Sequence, residues 1–258
     1  MKPLSPPPAS YLDAVRAEVR AIETSVRSGE CGSLPFGIAA MDQRLAGGGL
    51  ATAALHEATG SSPSLNDDAA ATLFAAGIAS RASGTSDKIL WVVTRHDLFA
   101  PALAQAGLAP RRLIYAECRR DDEALAVMEE GLRGGGLAAV VGEIGRATMT
   151  ATRRLQLAAE DNATMALMVR RWRRSGEDPF VMPSAAATRW RIGCLSSQEL
   201  PTNGIARPRW HMELARQRGG QPHQWIMEGT DEAGRLALPA EPAHRPASAD
   251  RRAFGRAA

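Results

Sequence analysis

From Ser10 to Arg27 apolar side chains recur at helical spacing, at Tyr11, Leu12, Val15, Val19, Ile22 and Val26, with Ser10 placed as an N-cap. The pattern predicts an amphipathic helix over residues 10–28. A run of Ser, Gly and Cys at 28–33 then reads as a hinge. From residue 33 the grain changes to short apolar runs alternating with helical stretches. The runs predict strands at Ala53–Ala58, Ile89–Val93, Leu113–Tyr115, Leu137–Val141 and Met165–Val169. Between them, helices are expected at Asp67–Arg81, Leu98–Gln105, Asp121–Arg133 and Thr150–Glu160. This alternation predicts an α/β fold with a mainly parallel central sheet flanked by helices, each strand returning through a right-handed crossover.

Beyond Pro183 the order is different. Arg189–Leu195, Arg209–Ala215 and Gln224–Glu228 look like antiparallel strands, with a Gly-Gly turn at 218–222. Trp190 and Trp210 alternate with arginines at strand spacing, so they are expected to face the core. The proline-rich ends, 1–9 and 239–258, are expected to be disordered, leaving one core over 33–238. No internal repeat is visible.

The chain has 258 residues, of which 45% are hydrophobic, enough to bury a sizeable core without covalent staples. Cys31, Cys118 and Cys194 are widely separated and form no metal-ligand spacing, so reduced thiols and no metal are expected. No stretch approaches the roughly 20 apolar residues of a membrane span, which points to a cytoplasmic protein with no membrane partner. Net charge is +3. Position says more than the total, since the segment from Arg153 to Arg218 holds twelve arginines against six acids. That places a basic surface in the third quarter of the chain.

The segment from Leu55 to Asp68 has the layout of a strand, a small-residue loop and a helix start. A phosphate-binding loop of the form G-x-x-x-x-G-K-[ST] beginning at Gly60 needs glycine, lysine and a hydroxyl at the last three positions. The chain has Leu65, Asn66 and Asp67 there. The glycine would allow close backbone approach, the lysine would neutralise phosphate charge and the hydroxyl would hold Mg²⁺, so all three functions are missing. Asp67 and Asp68 add charge of the wrong sign: like charges about 4 Å apart repel by roughly 4 kcal/mol at an effective dielectric near 20. Taken alone, the segment reads also as a Ser/Pro turn capping a helix, whose N-terminus these carboxylates suit.

The lead-in from Leu34 to Leu50, with Asp42, Leu45 and Gly47-Gly48-Gly49 ahead of the strand, resembles the entry to the RecA ATPase core. On that resemblance Arg95-His96 stands where an acid and a histidine follow the second strand, so a cation replaces the water-activating carboxylate. Ala138-Ala139-Val140-Val141-Gly142 then puts glycine at the Mg²⁺-binding aspartate. Glu143, one step along, is expected on the opposite face as a solvated strand-end carboxylate. Thr188–Ile192 and Arg209–Arg218 resemble the two strands after the second DNA-binding loop of RecA. Arg216 and Arg218 match lysines that reach a neighbouring subunit's nucleotide in that family.

More narrowly, the emptied loop, Ser184–Arg191, and Pro208-Arg209-Trp210 leading to Arg218-Gly219-Gly220 and Trp225 resemble the ImuA family over residues 33 to 230. The resemblance implies a RecA-like core with C-terminal antiparallel strands and an N-terminal helix, and neither enzymatic activity nor cofactor. It implies an adaptor of SOS-induced error-prone translesion synthesis in the bacterial cytoplasm. Its partners would be an ImuB-type inactive relative of Y-family polymerases, a DnaE-type polymerase and RecA. Two other readings compete. One is a SulA-like division inhibitor, the other a DNA-dependent RecA-type ATPase, against which positions 65–67, 95 and 142 argue jointly.

Arg170, Arg171, Arg173 and Arg174 surround Trp172 where the RecA resemblance places the second DNA-facing loop. Such a cluster suits phosphate contacts and base stacking on single-stranded DNA. It suits equally a basic strand end with Trp172 packed on the body. Candidate partner contacts are Arg216 and Arg218, the helical stripe Leu12, Val15, Val19 and Ile22, and Phe254 among the arginines of the tail.

Overall fold

Apolar runs without polar alternation, such as Ile89-Leu90-Trp91-Val92-Val93, suit strands covered on both faces, and this segment is buried throughout. The computed structural model describes residues 32–82, 87–173, 176–197, 204 and 206–239. The expected N-terminal helix and C-terminal tail lie outside the described residues. The elements in chain order are β1 (Ser33–Leu34), α1 (Ala39–Asp42), β2 (Leu50–Ala51), β3 (Leu55–Gly60), α2 (Leu65–Arg81), β4 (Ile89–Val93) and α3 (Ala100–Gln105). A 3-10 turn at Pro110–Arg112 leads into β5 (Leu113–Glu117), α4 (Asp121–Gly134), β6 (Ala139–Ile144), α5 (Met149–Asp161) and β7 (Met165–Arg170). The chain closes with β8 (Thr188–Leu195), β9 (Arg209–Gln217) and β10 (His223–Glu228).

Eight strands form one sheet in the order β10-β9-β8-β3-β7-β6-β4-β5, while β1 and β2 pair antiparallel beside it. Strands β3 to β8 run parallel, and β9 and β10 antiparallel. The molecule is thus a mixed, mostly parallel sheet flanked by helices, with all the expected elements of the described region present. Among the described residues no helix is long and apolar enough to cross a membrane.

Two cores lie on the two faces. On one, α2 and α3 cover Trp91, Val141, Leu167 and Trp190, and on the other α4 and α5 cover Val92, Val140 and Met168. Helix α2 owes its close seat to alanine at 70, 71, 75, 76 and 79, all buried, and Ser64 caps its N-terminus by accepting from the Asp67 amide. Trp190 and Trp210 face inward as expected, 0% and 1% exposed. Phe36, Phe74, Trp190 and Trp225 pack at centroid separations of 5.5–6.2 Å, tying the lead-in, α2, β8 and β10 into one cluster. A bulge between Arg189 and Trp190 marks where β9 leaves regular pairing with β8.

Candidate functional site

Strand β3 ends at Gly60, and a side chain there would fall within 3.0 Å of the Asp67 and Asp68 backbone. Only glycine lets the first turn of α2 close down on the strand. The loop between them is tied off by its own groups. Ser61 donates its amide to Ile192 O, and the Asp67 carboxylate accepts from Ser62 Oγ (2.6 Å) and from the Cys194 amide (2.8 Å). Trp172 donates its indole N–H to Gly60 O at 2.8 Å. Asp67, at the hydroxyl position of a phosphate loop, therefore fastens the loop to β8. Leu65 and Asn66 are exposed on the helix start.

Beside this loop lies a network that the sequence did not reveal. Glu143, on β6, is buried and accepts from Trp91 Nε1 (2.9 Å) and Arg171 Nε (3.0 Å). Arg171 also reaches Asp68 of α2, Nη1 to Oδ2 at 3.4 Å, and donates to the Asp68 carbonyl. Arg95, just after β4, stands 3.8 Å from Asp68 and 2.7 Å from Asp97. Burial raises the Asp68 carboxyl above its ordinary value, although Arg171 and Arg95 pull it down. For Arg171 burial acts to lower the guanidinium, but Glu143 and Asp68 outweigh it and hold the pKa above the usual value.

This geometry corrects the expectation for Gly142 and Glu143. A side chain at Gly142 would meet Met128 Sδ at 2.1 Å, on the α4 face of the sheet. Glu143 is the residue on the α2 face, next to the loop, and it is 1% exposed rather than solvated at a strand end. A carboxylate therefore does stand on the loop side of this strand end, one residue after Gly142. A guanidinium already occupies it.

The second correction concerns Arg170 and Arg171. Arg170 is 1% exposed and pairs with Glu57 at 3.2 Å on the opposite sheet face. Glu57 accepts as well from Arg189 Nε and Ser184 Oγ, both at 2.8 Å. Neither Arg170 nor Arg171 offers its head to DNA, because each compensates a buried carboxylate that would otherwise be unpaired. Arg173 is exposed, and Arg174 lies outside the described residues. The expected DNA-facing stretch is clasped to the body at residues 178–184. Asp178 takes a two-pronged contact from Arg191 (2.7 and 3.1 Å), and Phe180 lies under Arg189 at 4.0 Å.

Among the interface candidates, Arg216 is exposed at the end of β9 and Arg218 half-buried just beyond it. Leu12, Val15, Val19, Ile22 and Phe254 lie outside the described residues. The signal that could have found the buried network is a charge inside an apolar parallel strand, as in Ala138-Ala139-Val140-Val141-Gly142-Glu143-Ile144. Such a strand is covered on both faces, so its carboxylate requires a cation on a neighbouring strand or helix. Among the described residues no cluster of His, Cys, Asp and Glu could hold a metal ion.

No family model matches the chain. Over 210 residues it is 37% identical to Protein ImuA of Caulobacter vibrioides, in two strains of that organism. The match covers 78% of this chain and 84% of the Caulobacter protein.

Proposed function

The chain belongs to the ImuA family of non-enzymatic accessory proteins of SOS mutagenesis, and we propose that it serves there as an adaptor whose RecA-type core works without nucleotide. The observation that carries this reading is Arg171 held between Glu143 and Asp68. A nucleotide-driven core places Mg²⁺ and phosphate between a strand-end carboxylate and the loop. Here an internal cation bridges those elements. A ligand shifts a conformational equilibrium only through differential affinity for the two states, and the tied-off loop offers ATP no cradle. The core is then useful through its surfaces.

On this reading the partners are an ImuB-type protein, a DnaE-type polymerase and RecA, met in the bacterial cytoplasm. Residues 33–238 supply the core. The stripe Leu12, Val15, Val19 and Ile22, and Phe254 in the tail, are assigned to docking. Direct contact with single-stranded DNA falls to the exposed Arg173 and its chain neighbour Arg174. Co-expression of the full chain with the ImuB-type protein of the same genome tests the reading. The two should co-purify, and removing residues 1–28 or 240–258 should lower both recovery and damage-induced mutagenesis in at least one case. A full chain that recovers no partner contradicts it.

A further inference from the structure

We propose that a groove between α5, the segment at Ser184 and Ala185 that leads into β8, and the end of β9 docks an acidic, aliphatic peptide segment of a partner protein. Met149, Arg153, Leu157 and Glu160 fall at positions i, i+4, i+8 and i+11 of α5 and line one wall together. Arg216 and Arg218 line the other, and the space between measures about 260 Å³. Leu157 and Met149 are 51% and 40% exposed, although α5 buries Leu155, Ala158 and Ala159 on its inner face. The helix thus carries a second apolar stripe that the described fold leaves in solvent.

The charges around this stripe are held in place. Arg216 donates to Ser184 O at 2.7 Å and Arg218 to Ala185 O at 2.9 Å, so both guanidiniums are fixed at the rim before any partner arrives. Such preorganisation removes part of the entropic cost of docking. Arg153 is exposed and, among the described residues, makes no ion pair. Glu160, 3.7 Å from Arg218, is the carboxylate among the lining residues, so three arginines face one acid. The complement of this surface is a segment whose carboxylates flank Leu- or Ile-sized side chains.

Charge also sorts the alternatives. The chain's own tail, 240–258, has four arginines against two acids and residues 1–31 carry four of each sign, so neither complements a basic rim as well as a net acidic segment does. A nucleic acid would meet no aromatic side chain for base stacking in the lining, and its phosphates would face Glu160. The proposal rests on the adaptor reading for its biological use, but not for its chemistry.

The test uses the full chain and a short fluorescein-labelled peptide with leucines at helical spacing flanked by glutamates, followed by anisotropy. Binding should fall about tenfold in Leu157→Asp and, separately, in Arg153→Glu, both exposed helix positions whose fold circular dichroism verifies. A control peptide with arginine for glutamate should not bind. No binding of the acidic peptide, or binding by either variant as tight as the parent's, overturns the proposal. So does an oligothymidylate that binds more tightly than the peptide and is lost in the same variants. No polymerase-like partner is in the cuvette, so failure here leaves the adaptor reading standing, and failed co-purification would leave the groove's chemistry standing.

Discussion

Arg171 and Glu143 meet across the ends of neighbouring parallel strands, Nε 3.0 Å from Oε2, both buried, with Trp91 donating to the second carboxylate oxygen. Each compensates the other, so removing one leaves an unpaired buried charge. Arg171→Met should lower unfolding stability by about 3–5 kcal/mol. Adding Glu143→Met to that variant should recover more than half of the loss. Urea denaturation of the two single variants and the double variant measures this. A single variant within about 1 kcal/mol of the parent would show that the pair carries little.

Rebuilding the loop should not restore ATP chemistry. With Leu65→Gly, Asn66→Lys and Asp67→Thr together, Arg171 still holds Glu143 and Asp68, and Arg95 still stands beside Asp68. The variant also loses the Asp67 contacts to Ser62 and the Cys194 amide and should melt below the parent. Calorimetry with Mg·ATP and a phosphate-release assay should both read nothing at sub-millimolar nucleotide. Turnover in this variant would show that the internal cations leave the site open.

His56 should give the stability curve an acid limb. It is buried, with Nδ1 2.8 Å from Thr188 Oγ1 and Nε2 2.8 Å from Ala51 O. Burial lowers its pKa from 6.5 to about 4. Between those values the unfolded chain binds more protons, so the contribution is full above 6.5 and lost as pH falls to about 4. The loss amounts to about 3 kcal/mol at 1.36 kcal/mol per pH unit. In His56→Gln this part of the slope should vanish when unfolding is measured from pH 7 to 4. An unchanged slope would assign the acid limb to other groups.

The same burial explains how much of the molecule the sequence discloses. Apolar runs and their breaks placed every strand of the main sheet, because the period of burial is written in residue type, and Trp190 and Trp210 turned inward as their alternation with arginine required. Charged positions were harder to place. Arg170 and Arg173 look alike in a string, yet one pairs with Glu57 in the core and the other faces solvent. The difference lies in which neighbouring strand carries an acid, a non-local fact fixed by sheet order. Glu143 was assigned to solvent for the same reason. One residue of register moved it from the face of Met128 to the face of the loop.

DNA binding, if it uses the strand end after β7, should respond to Arg173 and Arg174 alone. Changing both to serine should weaken binding of single-stranded oligonucleotides and flatten the dependence on log salt by about two units at most. Arg170→Ser should instead lower stability, because it strips Glu57 of one of its two cations. If the Arg173 and Arg174 variant binds as the parent does, the DNA contact lies elsewhere or is absent.

A core that acts without nucleotide is tested most directly by titrating the full chain with the ImuB-type protein in the presence and absence of Mg·ATP. The predicted result is binding in both conditions with a dissociation constant that agrees within about twofold, since a ligand with no site shifts no equilibrium. Binding that appears only with ATP, or tightens by about tenfold when it is added, would contradict it.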